Sequence, residues 1–191
     1  MNTDILKIFN KNNGFLKTKD LILRNQWYQL NKLVDSGVAV KLKRGLYCLQ
    51  QYQETIDQNL EVVQIVPSGV FCLFTAWRHY NLTTNNPFAY HIAINRDDRI
   101  ILPEYPPIKI YRWSEKYYNL GITEFEGITI YDLEKSVCDA VRFRNKVGLD
   151  IAIEVVKNYV RRKDRDFNKL TIYARQLKIE KIMQNMVMPM L

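Results

Sequence analysis

An α+β fold is predicted: an N-terminal winged helix-turn-helix, then a mixed α+β domain ending in a helical tail. Three features carry this. The first fifty residues hold three short segments of helical period, followed by two strand-like runs around Lys43-Arg44-Gly45. Residues 90–131 contain runs of alternating hydrophobicity, and the residues after Asp132 read as helix. Strands first and helices afterwards define an α+β domain.

Ile5, Leu6, Ile8 and Phe9 place a helix over 4–11, stopped by Asn12-Asn13-Gly14. Thr18 is the expected N-cap of a short second helix holding Leu21, Ile22 and Leu23. A third helix is predicted from about 26 to 36, with Trp27, Leu30, Leu33 and Val34 inward and Gly37 ending it. Residues 38–42 and 46–49 then read as the two strands of a wing. The polar stretch after Gln50 turns into a connector helix with Ile56, Leu60, Val63 and Ile65, closed by Pro67-Ser68-Gly69. The predicted organisation is therefore a winged helix over 1–50, a connector over 51–69 and an α+β domain over 70–191.

In that domain, 70–80 is expected to form an aromatic-rich helix, 90–95 and 108–113 strands, and 122–131 a hairpin around Glu126-Gly127. The proline-rich run 102–107 must be a loop or an edge. Asp132 is the expected cap of a helix to about 144, followed by helices over 149–162 and 170–186 with a basic turn, 161–166, between them.

Charge points to the partners. Lys and Arg total 28 against 20 Asp and Glu, a net charge of +8. Residues 1–50 carry nine basic and three acidic side chains, and residues 136–191 twelve and six, while the middle is net acidic. Two basic regions flanking an acidic one imply separate surfaces, one suited to a polyanion. On the third helix, Gln26, Tyr28, Gln29 and Lys32 are expected to face outward. Gln can bond an adenine edge, Lys guanine or phosphate, and Tyr phosphate. With Thr18 and Lys19 before the helix, and Lys41, Lys43 and Arg44 on the wing, these form the predicted interface to double-stranded DNA. In the tail, Arg142, Arg144, Arg161, Arg162 and Lys163 are candidates for a surface meeting an acidic partner. A solvated face is the alternative reading of those charges.

The order of these pieces resembles the AbiEi family of antitoxins from bacterial type IV toxin–antitoxin, or abortive-infection, systems. Three stretches carry the likeness: Leu33-Val34-Asp35-Ser36-Gly37-Val38 with Lys43-Arg44-Gly45-Leu46-Tyr47, then Phe74-Thr75-Ala76-Trp77-Arg78-His79-Tyr80, then Ile130-Tyr131-Asp132-Leu133-Glu134-Lys135-Ser136-Val137-Cys138-Asp139. Where that family often has a glycine before the third helix, this chain has Arg24-Asn25. The resemblance implies a cytoplasmic phage-defence antitoxin that represses its own promoter and counteracts a nucleotidyltransferase-like toxin, with or without a stable complex. It also implies self-association on DNA. A winged-helix transcription factor whose second domain senses a ligand or recruits a protein, without a toxin, is the alternative.

Enzyme chemistry is not expected. His79 and His91 stand alone and read as packing residues, so no metal or other cofactor is expected. The scattered glycines form no phosphate-binding loop. The paired Asp97-Asp98 reads as a loop tip, since no Asp or Glu stands two positions before a Lys. Asp132 and Asp139 read as a cap and a surface or interface carboxylate. Three separated cysteines suit a reducing compartment. No run approaches the roughly 18 apolar residues of a membrane span, and the N-terminus has no signal-like apolar stretch.

Overall fold

The computed structural model describes residues 3–53 and 57–191. Ile56, expected in the connector helix, lies outside them. The chain divides into two compact units, residues 1–67 with 99–106, and residues 68–98 with 107–191.

The first unit begins with α1 (Thr3–Lys11), β1 (Phe15–Lys17) and a single 3-10 turn (Thr18–Asp20). It continues with α2 (Arg24–Asp35), β2 (Ala39–Lys43), β3 (Leu46–Leu49), α3 (Gln50–Gln53) and α4 (Gln58–Ile65). The three strands form an antiparallel sheet in the order β1-β3-β2, the arrangement of a winged helix. Its core is Ile5 and Phe9 from α1, Leu16 from β1, Leu30 and Leu33 from α2, and Ala39 and Leu49 from the wing. Gly37, at φ +72°, takes the left-handed position that ends α2, and the Val38 amide reaches back to the Leu33 carbonyl at 2.9 Å.

Two expectations change here. The second helix is only the 3-10 turn, and Thr18 lies inside it, with Lys17 at the cap position and no side-chain cap. One turn offers no surface to cover the start of α2. Ile22 is therefore 89% exposed, Leu23 55% and Trp27 44%, although the sequence pattern predicts Trp27 inside. β1 has no counterpart among the predicted elements, and it pairs Phe15 with Cys48 and Lys17 with Leu46.

The second unit is built on a mixed sheet in the order β6-β5-β4-β8-β7. Its strands are β4 (Val70–Phe71), β5 (Tyr90–Asn95), β6 (Ile108–Trp113), β7 (Ile122–Phe125) and β8 (Ile128–Tyr131). β4 runs antiparallel to β5 and parallel to β8, while β5 and β6 are parallel from Tyr90↔Ile108 to Asn95↔Trp113. Between and after the strands come α5 (Leu73–His79), α6 (Glu115–Tyr118), α7 (Leu133–Arg142), α8 (Arg144–Val147), α9 (Leu149–Val160), α10 (Phe167–Gln176) and α11 (Glu180–Val187), closed by a 3-10 turn over Met188–Met190. Trp77, Tyr131, Val137, Val141, Val156 and Tyr159 are central to one apolar core.

The stretch expected as one helix over 70–80 opens as β4, the middle strand, before α5 begins. The predicted last helix is two, because Lys178 adopts φ +58° and the Ile179 amide turns back to the Ala174 carbonyl at 2.9 Å. Asp132 does cap α7, its carboxylate accepting from the Lys135 amide at 2.8 Å. Among the described residues no helix is long and apolar enough to cross a membrane.

His91 of β5 is buried, its Nδ1 2.9 Å from the Tyr111 hydroxyl and its ring beside Phe74. Burial, helped by Lys109, pushes its pKa down to about 4 from the usual 6.5. Between those values the unfolded chain holds a proton that the folded chain refuses. Stability from this group is therefore complete above pH 6.5 and is lost as pH falls towards 4, on the order of 3 kcal/mol in all. In His91→Gln, denaturant titrations from pH 7 to 4 should show an acid-side slope shallower by about 1.4 kcal/mol per pH unit.

Candidate nucleic-acid interface

The interface expected from sequence falls on α2, the 3-10 turn and the wing of the first unit. Helical spacing puts Arg24, Tyr28 and Lys32 at i, i+4 and i+8, and all three are exposed, Tyr28 at 74%. They form one stripe offering a guanidinium, a phenol and an ammonium. Arg24 reads in the sequence only as part of a turn. Its four-residue offset from Tyr28 is the signal that could have placed it on the helix.

The glutamines stand differently. Gln26 is half-buried, and its Oε1 accepts from the Ile22 and Leu23 amides at 2.8 and 2.9 Å. These are backbone donors at the open start of α2, so Gln26 stitches the turn to the helix in place of the missing side-chain cap. The sequence assigns it to base reading, yet its acceptor is committed within the chain. Gln29 is half-buried on the neighbouring turn. Gln26→Ala should cost about 1 kcal/mol in a thermal or urea transition of the full chain.

The wing gathers cations. Lys17 and Lys43 both pair with Leu46, from opposite sides of β3. The Thr18 amide donates to the Gly45 carbonyl at 2.9 Å, which ties the 3-10 turn to the wing turn and brings Lys19 and Arg44, both exposed, to neighbouring backbone. Lys41 is exposed on β2. Lys43 is half-buried and donates to the carbonyl of Ile65, the last residue of α4. Burial, with Lys17 nearby, lowers its pKa below the usual lysine value. This places Lys43 against a helix C-terminus, where a cation meets partly unsatisfied carbonyls.

In the second unit the candidate partner surface separates into two groups. Arg142 and Arg144 end α7 and begin α8, whereas Arg161, Arg162 and Lys163 follow the far end of α9. A twelve-residue helix is roughly 18 Å long, so the two groups lie at opposite ends of α9. The Arg142 guanidinium lies 3.8 Å from the centre of the Tyr117 ring. Arg144 donates to the Val141 carbonyl at 3.0 Å. Arg162 grips Asp164 through two nitrogens, at 2.8 and 2.7 Å, and donates to the Tyr80 carbonyl at 2.6 Å. Arg161 and Lys163 are exposed.

Asp139, expected at a surface or interface, is instead fully buried. It pairs at 2.6 Å with Lys135, also 0% exposed, whose Nζ sits over the rings of Tyr131 and Trp113 at 4.2 and 4.4 Å. Burial raises the Asp139 carboxyl above its ordinary value, with Lys135 and then Arg142 opposing. Asp98 accepts from the Ser68 hydroxyl at 2.9 Å, just past the turn after β5. Among the described residues no group of three or more His, Cys, Asp or Glu is placed to hold a metal ion.

No protein-family profile matches the chain. It is similar to the redox-sensing transcriptional repressor Rex of Bacillus cytotoxicus, 31% identical over 98 residues, which are 51% of this chain and 46% of that one. The chain thus matches about half the length of that curated relative. Its fold is like that of the crystal structure of the RV2827C protein from Mycobacterium tuberculosis, with a TM-score of 0.58 at 10% identity, covering 96% of this chain and 79% of that one. At that identity the likeness is one of fold alone.

Proposed function

We propose that this chain is a DNA-binding transcriptional repressor, with the exposed stripe of α2 in the major groove and the wing along the phosphates. The observation that carries the reading is the Arg24–Tyr28–Lys32 stripe on the recognition helix of a winged helix, in a unit that also presents Lys19, Lys41 and Arg44. Similarity over 98 residues to a protein described as a transcriptional repressor supports it. The finer reading is an autorepressing antitoxin that counteracts a nucleotidyltransferase-like toxin, supported by the sequence resemblance at 33–47, 74–80 and 130–139.

Retardation of a duplex from the chain's own upstream region, against a shuffled duplex of equal length, tests the repressor. The full chain should prefer the upstream duplex and lose affinity steeply with salt. Equal binding to both duplexes would remove sequence-specific repression. For the antitoxin, the neighbouring reading frame is expressed with and without this chain. Growth arrest relieved by the chain, including by a variant that no longer binds DNA, is the expected result. A neighbouring frame that arrests nothing would leave the repressor without a toxin.

A further inference from the structure

The second unit contains a cavity of about 350 Å³ that the repressor reading leaves unused. It lies along edge strand β6 and reaches the carboxyl ends of the parallel pair β5 and β6, where the Arg96 amide donates to the Trp113 carbonyl at 2.8 Å. In sheets with parallel strands, the crevice outside the carboxyl ends is where ligands are commonly bound. The size falls in the ordinary range of small-molecule pockets, about 300–1,000 Å³.

The lining has one sign of charge. Arg96, Arg112, Arg142 and Lys146 contribute four cations, and among the described residues no acidic side chain lines the cavity. None of the four is in an ion pair among the described residues. Arg112 is turned towards the backbone, donating to the Asp98 and Arg96 carbonyls. Arg142 is stacked on Tyr117, and its Nη1 is closed off from solvent with no acceptor among the described residues. Nη1 is thus out of reach of anything that fills the cavity, and Arg142 meets an oxyanion there through its other guanidinium nitrogens. The buried Asp139 carboxylate is paired with Lys135 and also feels Arg142, so the surplus of positive charge at the cavity wall stands on Arg96, Arg112 and Lys146. The rest of the lining is a polar hydroxyl, Ser114, and a largely aromatic wall including Tyr111, Tyr117 and Phe143, against which a ring can pack.

We infer that this cavity is a binding site for a nucleoside phosphate, the phosphates held by Arg142, Arg96 and Lys146 and the base and sugar against the aromatic wall. A free phosphate leaves most of 350 Å³ unfilled, and a duplex is too wide to enter it. The site belongs to the second unit alone and does not depend on how the first unit reads DNA.

The test is calorimetric titration of the full chain with the four ribonucleoside monophosphates and triphosphates, adenosine and inorganic phosphate as separate probes. At least one nucleotide should bind, adenosine should not, and inorganic phosphate should bind at least tenfold more weakly. Arg142→Gln should weaken the nucleotide at least tenfold. Since Arg142 also packs on Tyr117, the exposed pair Arg96→Gln/Lys146→Gln should do the same while leaving the unliganded thermal transition in place. Absence of binding by all eight nucleotides overturns the assignment. So does inorganic phosphate binding as tightly as the best nucleotide, or nucleotide affinity unchanged in the Arg96/Lys146 double variant, which would put the ligand elsewhere.

Discussion

Lys135→Ala should destabilise the second unit by about 3–5 kcal/mol, because it strands a carboxylate in the core. Lys135 and Asp139 are both 0% exposed, with 2.6 Å between Nζ and Oδ2. Among the described residues Asp139 Oδ1 has no hydrogen-bond partner, so the ammonium is the chief compensation for burying the charge. Without it the carboxyl must take up a proton or admit water, and the rings of Trp113 and Tyr131 lose the cation that lies over both. Replacing both members at once, Lys135→Met with Asp139→Leu, should come within about 1–2 kcal/mol of the parent, since desolvating two ions roughly cancels their attraction. Urea unfolding of the three proteins decides it. A Lys135→Ala transition within about 1 kcal/mol of the parent by that measurement would mean the pair is not the buried ion pair described.

The second large effect concerns DNA. Substituting Ala for Lys19, Lys32, Lys41 and Arg44 together should reduce the slope of log affinity against log salt by about 3.6, near 0.9 for each phosphate left without its cation. All four are exposed, so folding should survive. Retardation across about 50–200 mM salt gives the slope directly. An unchanged slope would clear these four residues of any role at the phosphates. Lys43 stays out of the set because it already donates to the Ile65 carbonyl.

Elements with strong local signals are legible from sequence: α1 and the stop at Gly14, the wing strands, the hairpin of β7 and β8, and Asp132 as a cap. Those that escape it are short or made by context. Phe15–Lys17 and Val70–Phe71 are three and two residues long, too brief for periodicity, and their strand character comes from pairing partners far along the chain. The break at Lys178 is a lysine in the left-handed region, with no glycine to mark it. Trp27 reads as inward because it lies three residues before Leu30, and the period is right. What the pattern does not reveal is that one 3-10 turn replaces the helix that would have covered it.

For the candidate interface, the sequence names residue types and a region, and the structure adds which of those side chains are already committed within the chain. Gln26, Lys43 and Arg162 each carry the right chemistry for an outside partner, yet each is bound to the chain's own backbone. Asp139 reads as a surface residue because a lone Asp usually is one, although the i,i+4 offset from Lys135 is present as a clue.

β4 also has a consequence for the order of events during synthesis. Phe71 pairs with Ile92 on one side and Ile130 on the other, so the middle of the sheet is completed only by a strand translated some sixty residues later. Until β8 leaves the ribosome, β4, β5 and β6 present an open edge and half a core, a state prone to wrong pairing. The bulk of the first unit, residues 1–67, has by then been released. The nascent chain can therefore carry a finished winged helix while its second unit is still waiting to close.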